Sequence, residues 1–133
     1  MRKIFLDTSG ILASINKRDA LHDKAVELNR SLETDNVVFY TTDYIIVEIC
    51  NALSKRKGLA LQVLDYLYKS PDINIVKITN DIYTEALEVY KNFSDKEWGL
   101  TDITSFIVMQ HQDIAEGFTG DKHFTQFGFQ ILL

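Results

Sequence analysis

Short β-rich runs alternate with longer helical segments along this chain, and the alternation limits the folds that are open to it. The runs KIFLD, NVVFYT, INIVKI, EGFTG and FQILL have the length and composition of strands. The segments between them carry apolar residues at the spacing of one helical face. Strands that alternate with helices are joined by right-handed crossovers, so the pattern predicts a parallel sheet covered on both faces.

Length and composition limit the number of domains. The 133 residues are enough for one domain with a sizeable core and too few for two, so we expect a single domain over residues 1–133. With 46% hydrophobic residues, 25% charged residues and one proline, the chain has the composition of a compact globular protein.

The cysteine content and the first residues bear on location. The lone Cys50 cannot form an internal disulfide, which suits a reducing compartment, and its apolar helical surroundings favour a packing role over a nucleophilic one. The opening MRKIFLDTSGILASI is interrupted by Asp7 and no cleavage signal follows. No stretch has the length of a membrane span. We therefore expect a cytoplasmic protein.

Capping residues predict where several helices begin and end. Thr8 or Ser9 can cap the first helix, and Thr42 or Asp43 can open the helix in YIIVEICNALSKRK. Gly58 is placed to end that helix and to turn the chain into the next one. We therefore expect one helix to begin near Thr8 and another to run from near Thr42 to Gly58.

Four carboxylates occupy positions where an α/β domain usually has a less costly residue. Asp7 and Asp121 follow predicted strands, Glu48 points from the apolar stripe of a helix, and Asp102 lies at a helix start that Thr101 can cap instead. Ligands of parallel sheets bind beyond the carboxyl ends of the strands. Burying an unpaired carboxylate costs several kcal/mol, so a group of them predicts a bound cation.

Each of these acids also has an ordinary structural explanation. Asp7 and Asp102 could cap helices, and an acid in the first helical turn gains about 0.3–1 kcal/mol from the helix dipole when exposed. Glu48 could form a salt bridge with a lysine or arginine on another element. Asp121 could be a turn residue or the N-cap of a short helix. Ser105, one turn after Asp102, could orient that carboxylate by a hydrogen bond.

The ligand types favour hard cations. Carboxylate oxygens suit Mg²⁺ or Mn²⁺, whereas zinc would require histidine or cysteine at ligand spacing, and His22, His111 and His123 lack that spacing. Carboxylates around such cations can align a water with a phosphodiester and neutralise the leaving oxygen, without a covalent nucleophile. The pattern therefore indicates metal-assisted hydrolysis.

The net charge restricts the nature of a nucleic-acid substrate. A formal charge of −5 and a pI of about 5.1 argue against a broad electrostatic surface for duplex DNA or a membrane. They are compatible with a nucleic-acid enzyme, because bound divalent cations would offset charge where the carboxylates crowd. The side chains that could contact phosphates are Lys17, Arg18, Lys55, Arg56, Lys57, Lys122 and His123.

Four segments in order resemble the PIN domain, in particular the single-domain ribonuclease toxins of VapBC-type toxin–antitoxin pairs. LDTSGILASI is similar to the family's opening strand and turn, and YIIVEICNAL to its helix with a central glutamate. LTDITSF is similar to its Thr/Ser-Asp-x-x-Ser segment, and GFTGDKHFTQFGF to its closing segment. The likeness spans nearly the whole chain, which makes it specific.

This resemblance implies a metal-dependent endoribonuclease, either a VapC-like toxin or a stand-alone PIN nuclease, with a three-layer α/β/α sandwich and a parallel sheet of about five strands. It implies that Asp7, Glu48, Asp102 and Asp121 hold one or two Mg²⁺ (or Mn²⁺) ions and form the catalytic group. It further implies a homodimer and a cognate antitoxin whose peptide lies across the active groove. The residues expected to contact the carboxylates or a phosphate are Thr8, Thr101, Ser105 and Thr119.

Two other functional classes compete with this hypothesis. A PIN scaffold can bind RNA or protein without turnover, although the complete set of acids argues against that use here. Phosphotransfer enzymes also place an aspartate after the first strand, but haloacid-dehalogenase relatives need a second aspartate two residues later, where this chain has Ser9. Receiver domains need adjacent acids near the first strand, and no such pair precedes Asp7.

Overall fold

The computed structural model describes all residues from 1 to 133, which form five strands and seven helices. None of the helices combines the length and the apolar character needed to cross a lipid bilayer. The strands are β1 (Arg2–Leu6), β2 (Val37–Thr42), β3 (Ile73–Val76), β4 (Glu116–Phe118) and β5 (Gln130–Ile131). The helices are α1 (Thr8–Ile15), α2 (His22–Leu32), α3 (Asp43–Ala52), α4 (Lys57–Lys69), α5 (Asn80–Asn92), α6 (Leu100–His111) and α7 (Lys122–Phe127).

The sheet is entirely parallel and has the strand order β3-β2-β1-β4-β5. The crossovers from β1 to β3 proceed in one direction and those from β3 to β5 in the other, so right-handed connections cover both faces with helices. The predicted parallel α/β sandwich is therefore confirmed. Strand order reverses between β1 and β4, which are paired with Leu6 opposite Phe118. This switch point is where ligands bind in such sheets.

Helix α6 runs through the centre of the core. Seven consecutive residues, Ile103–Met109, are buried, so the helix is covered on all sides rather than along one stripe. Phe106 stacks on Phe127 with ring centroids 4.7 Å apart and meets the edge of Phe124 at 5.0 Å. These contacts fix the start of α6, where Asp102 lies, against α7.

A tryptophan joins the segment before α6 to α7. Trp98 is buried, packs edge-on against Phe106 and Phe127, and its Nε1–H donates to Gln126 Oε1 at 2.9 Å. Aromatic pairs of this geometry contribute about 0.5–1.5 kcal/mol beyond the area that they bury. The polar loop that precedes α6 is therefore anchored at its last residues.

Gly10 allows α1 to lie directly on β4. A Cβ at this position would come within 2.0 Å of the Phe118 carbonyl oxygen, so no larger residue fits without a backbone shift. The close approach brings the first turn of α1, which follows Asp7, next to the residues after β4.

Some predicted helix boundaries were wrong. The third helix ends at Ala52, and Gly58 lies inside α4 rather than ending α3, because a separate turn closes where Arg56 N–H donates to the Leu53 carbonyl at 2.8 Å. Neither Thr8 nor Ser9 caps α1, whose N-cap is Asp7 itself.

The predicted capping residues of two other helices can be compared with the structure. Thr42 caps α3 as predicted, accepting a hydrogen bond from the Ile45 N–H. Helix α6 begins one residue before Thr101, after Gly99 as N-cap, so Thr101 is not its capping residue.

Candidate active site

The four acids line one cleft at the carboxyl edge of the sheet. Asp7 follows β1, Glu48 lies in the middle of α3, Asp102 is in the first turn of α6, and Asp121 caps α7. The cleft has a volume of about 610 Å³. Residues from four distant parts of the chain thus meet in one place. The side chains that line the cleft are Asp7, Thr8, Ser9, Leu12, Glu48, Asn51, Asp102, Asp121 and His123.

Asp7 is the most enclosed of these acids, with 4% of its surface exposed. Its Oδ2 accepts hydrogen bonds from Thr119 Oγ1 at 2.7 Å and from Ser9 Oγ at 3.0 Å. Burial raises the pKa of the Asp7 carboxyl to about 6, and the charges of Asp102 and Asp121 add to this effect. The two hydroxyl donors oppose the rise but do not cancel it.

Glu48 has one partner, the hydroxyl of Thr8, which donates to Oε1 at 2.6 Å. Burial raises the pKa of Glu48, and the neighbouring charges of Asp102 and Asp121 contribute in the same direction. No lysine or arginine forms an ion pair with it, so the salt-bridge explanation for this residue was wrong.

Asp102 and Asp121 share contacts with His123. The ring Nδ1 of His123 is 3.1 Å from Asp102 Oδ2 and 3.4 Å from Asp121 Oδ1, which also accepts the His123 backbone N–H at 2.9 Å. Burial raises the pKa of Asp102, the Asp121 charge adds to the rise, and the hydrogen bond with His123 opposes it. One ligand atom from each of the three residues lies within 4.8 Å of the others.

Three of the four carboxylates are held through one oxygen while the other stays available. The hydrogen bonds within the protein reach Asp7 only at Oδ2, Glu48 only at Oε1 and Asp121 only at Oδ1. No fully buried side-chain oxygen lacks a hydrogen-bond partner, so the remaining oxygens open into the cleft. Each of these three acids is therefore oriented by the protein and still presents a free oxygen.

This donor set fits a hard divalent cation. The cleft lining contains four carboxylates and no lysine or arginine, although acids elsewhere in the chain do pair with such residues, as Glu116 does with Arg2 at 2.9 Å. The raised pKa values of Asp7 and Glu48 are those of buried acids that lack a compensating positive charge, whereas His123 opposes the rise at Asp102. Carboxylate oxygens that converge without a lysine or arginine among them suit Mg²⁺ or Mn²⁺.

The four hydroxyl residues expected around the acids behave differently from one another. Thr8 contacts Glu48, and the fully buried Thr119 contacts Asp7, so Thr119 supports a carboxylate and is closed to a phosphate. Ser105 does not orient Asp102. Its hydroxyl donates to the carbonyl of Thr101 at 3.2 Å, because a helical serine readily bonds the preceding turn. The side chain of Thr101 is not part of the cleft lining.

Three polar residues of the cleft were not predicted as members of the carboxylate group. Ser9 bonds both Asp7 and Thr119, the latter at 2.8 Å. Asn51 lies three residues after Glu48 and so shares its helical face, which was a usable signal. For His123 the sequence predicted only a phosphate contact, because its position two residues after Asp121 is not a spacing typical of metal ligands.

The fold and the cleft define a class of protein. The chain belongs to the PIN domain family, whose model matches residues 4–130. It is 29% identical over 127 residues, 95% of both chains, to the 23S rRNA-specific endonuclease VapC20 of two Mycobacterium tuberculosis strains. The crystal structure of Mycobacterium tuberculosis VapC20, a Sarcin-Ricin loop cleaving toxin, superposes with a TM-score of 0.84 at 28% identity, covering 95% of each chain.

Two more distant structures share the fold. VapBC2 from Rickettsia felis, bound to a DNA fragment from its promoter, gives a TM-score of 0.70 at 16% identity, with 97% of this chain and 96% of that one covered. FitAcB from Neisseria gonorrhoeae gives 0.66 at 20% identity, with 96% and 95% covered. The resemblance to VapC-like PIN proteins expected from the sequence is confirmed.

Proposed function

We propose that this chain is a VapC-like endoribonuclease that hydrolyses RNA phosphodiester bonds with the help of Mg²⁺ or Mn²⁺. The observation that carries the proposal is the convergence of four carboxylates on one cleft that contains no lysine or arginine. The relatives support it, since VapC20 is named as an endonuclease and aligns with nearly the whole chain. A non-catalytic binding module would have no need for oriented acids with free oxygens.

The chain's own residues would each have a defined task in this reaction. Asp7 and Asp102, with Glu48 and Asp121, would present carboxylate oxygens to the cation. The hydroxyls that contact Asp7 and Glu48 would keep those carboxylates in their rotamers. When bound, the divalent ion supplies a polarised water and neutralises charge on the leaving oxygen. The buried floor of the cleft lowers the local dielectric, which strengthens these interactions.

The proposed substrate is RNA with an accessible loop. VapC20 is named for 23S rRNA, and its structure for the Sarcin-Ricin loop, which makes ribosomal RNA the first substrate to test with this chain. Unstacked loop nucleotides can enter a narrow cleft, whereas bases in a duplex cannot. The reducing environment indicated by the lone Cys50 agrees with such an encounter in the cytoplasm.

Fragment sequencing can test both the activity and the target. Total RNA would be treated with the purified protein and Mg²⁺ or Mn²⁺, beside the variants Asp7→Asn and Asp102→Asn, and the new ends would be mapped. We expect discrete ends with the parent and none with either variant. Asp65→Asn is the control, because Asp65 is exposed on α4 and pairs only with Lys69. Equal cleavage by Asp7→Asn and the parent would contradict the proposal.

We extend the proposal to a homodimer and to a cognate antitoxin. The structural neighbour from Rickettsia felis is named as a VapBC complex, which supports an antitoxin for this chain. Sedimentation over a concentration series tests the dimer, and a single monomeric species throughout would contradict it.

A further inference from the structure

Three consecutive basic residues, Lys55, Arg56 and Lys57, lie where the chain passes from α3 into the first residue of α4, and we call them the basic turn. All three are exposed, and none forms an ion pair. In a chain with a net charge of −5, this is the densest run of positive charge. Three adjacent cations without acidic partners repel one another, so the turn is suited to an external anion.

The course of α3 places the basic turn beside the cleft. Asn51, in the last turn of α3, lines the cleft. The chain then folds tightly, because Ser54 N–H donates to the Asn51 carbonyl at 3.3 Å and Arg56 N–H to the Leu53 carbonyl at 2.8 Å. Lys55 is four residues after Asn51, a length of chain that spans at most about 14 Å even when extended.

The direction of α4 also places the basic turn on the side of the sheet where the cleft lies. This helix ends at Lys69, and Ile73 N–H donates to the Ser70 carbonyl where β3 begins, so the end of α4 lies at the amino edge of the sheet. A helix of 13 residues is about 20 Å long. Its first residue, Lys57, therefore lies toward the carboxyl edge, where β1 ends and Asp7 is found.

Asn51 is the cleft residue with an uncommitted side-chain donor. The hydroxyls of Thr8 and Ser9 donate to Glu48 and Asp7, and the Nδ1 of His123 is engaged with Asp102. The amide of Asn51 makes no hydrogen bond within the protein, and this exposed cleft residue lies four positions before Lys55 in the chain. A polyanion leaving the cleft would thus meet a neutral donor first and then three cations.

We propose that Asn51 and the basic turn form a strip that binds the RNA backbone next to the bond being cleaved. This inference rests on the proposed ribonuclease function and deepens it. The amide of Asn51 donates to an oxygen of the sugar–phosphate backbone, and the basic turn neutralises the phosphates that follow. The division of charge explains how an acidic protein can hold RNA, because the acids bind cations while the strip binds phosphates.

The salt dependence of RNA binding tests the strip. Hydrolysis is removed with the Asp7→Asn background, and binding of a fluorescent loop RNA is followed by anisotropy in Mg²⁺ between about 50 and 200 mM salt. The variant Lys55→Ala/Arg56→Ala should lower the salt slope by about 1.4, since each phosphate contact on a single strand contributes about 0.7. At about 0.1 M salt, affinity should fall about 25-fold through counterion release alone.

Two further variants separate charge from position. The control Arg30→Ala/Lys69→Ala removes the same charges near the ends of α2 and α4, which precede β2 and β3 at the amino edge, so its slope should equal that of the background. Asn51→Ala should weaken binding by about 3- to 10-fold, the range of one neutral hydrogen bond, and leave the slope unchanged. Thermal melts of each variant verify that the fold is retained.

The outcomes distinguish this inference from the proposed function. Equal slopes for Lys55→Ala/Arg56→Ala and its control overturn the strip, and cleavage by the parent protein would then still support the nuclease. A lower salt slope in Lys55→Ala/Arg56→Ala, with an unchanged slope in the control, supports the strip. The same loss with a parent that cleaves no RNA would retain the strip as a binding surface and reject the nuclease.

Discussion

Replacing Asp7 by asparagine should stabilise the folded protein in the absence of divalent ions. The hydrogen bonds to Asp7 all reach Oδ2, so an asparagine can accept the same bonds from Thr119 and Ser9 with its amide oxygen. Its NH₂ group would then replace Oδ1 and face the carboxylates of the cleft. The substitution removes a buried negative charge while retaining the shape of the side chain and its hydrogen bonds.

The magnitude follows from the pKa of Asp7. A carboxyl with a pKa of about 6 in the folded protein and 3.8 otherwise binds its proton more tightly when folded. At 1.36 kcal/mol for each pKa unit, keeping it ionised costs about 3 kcal/mol near neutral pH. We therefore expect Asp7→Asn to raise the free energy of unfolding by about 2–3 kcal/mol, and Tm by about 6–12 °C for a domain of this size.

The sign of the pH dependence gives a second readout. The parent should lose stability from this site as pH rises between 3.8 and about 6. In this interval the Asp7 carboxyl is protonated in the folded state and ionised in the unfolded state, so a rise in pH favours the unfolded state. The variant has no such group, so the difference between the two should grow with pH over this interval and vanish below it. Urea unfolding followed by circular dichroism, with EDTA present throughout, measures both curves.

Divalent ions should reverse the ranking of the two proteins. Mg²⁺ or Mn²⁺ stabilises the species that binds it, by about 4.1 kcal/mol at a concentration about 1,000 times the Kd, which exceeds the advantage of the variant, and the variant has lost a ligand. The parent should therefore gain stability on addition of the ion and Asp7→Asn should gain little. An Asp7→Asn protein that is less stable than the parent in EDTA at neutral pH would refute the reasoning about this carboxylate.

Other perturbations give equally direct tests. Thr8→Val should lower the cleavage rate about 10-fold with little change in Tm, because Glu48 loses its only donor, and Thr8→Ser should retain the rate; initial rates on a defined RNA measure this. Gly10→Ala should destabilise by more than about 3 kcal/mol in urea, since its methyl group meets the Phe118 carbonyl, whereas Gly58→Ala, with open space around it, should stabilise by about 0.5–1 kcal/mol. EDTA should abolish cleavage and added Mn²⁺ or Mg²⁺ should restore it; full activity in chelator would contradict a metal requirement.

Much of the fold could be predicted because local and global signals agree in it. Alternating strands and helices leave few topologies, and the parallel sheet follows from right-handed crossovers. The placement of Asp7 and Asp121 at one edge followed from their positions after strands. The prediction that Gly58 ends α3 was wrong because glycine also occurs inside helices. The turn at Leu53–Arg56, which follows α3, is closed by backbone hydrogen bonds that have no distinct sequence pattern.

The finer organisation of the site depends on side-chain direction, which sequence spacing does not give. Ser105 shares a helical face with Asp102, yet its hydroxyl turns to the carbonyl of the preceding turn. His123 reaches Asp102 across 21 residues because α6 and α7 pack together through aromatic side chains. Neither contact follows from a periodic pattern, since each results from how two elements meet in three dimensions.

The strand order also affects when the cleft can exist during synthesis. Strand β1 is synthesised long before its neighbour β4, which comes from residues 116–118, and Asp121 comes after β4. An unfinished chain on the ribosome therefore lacks one wall of the cleft and one of its four acids. A cleft with all four acids can therefore form only after β4 and Asp121 have been synthesised, which separates the synthesis of Asp7 in time from the assembly of the site.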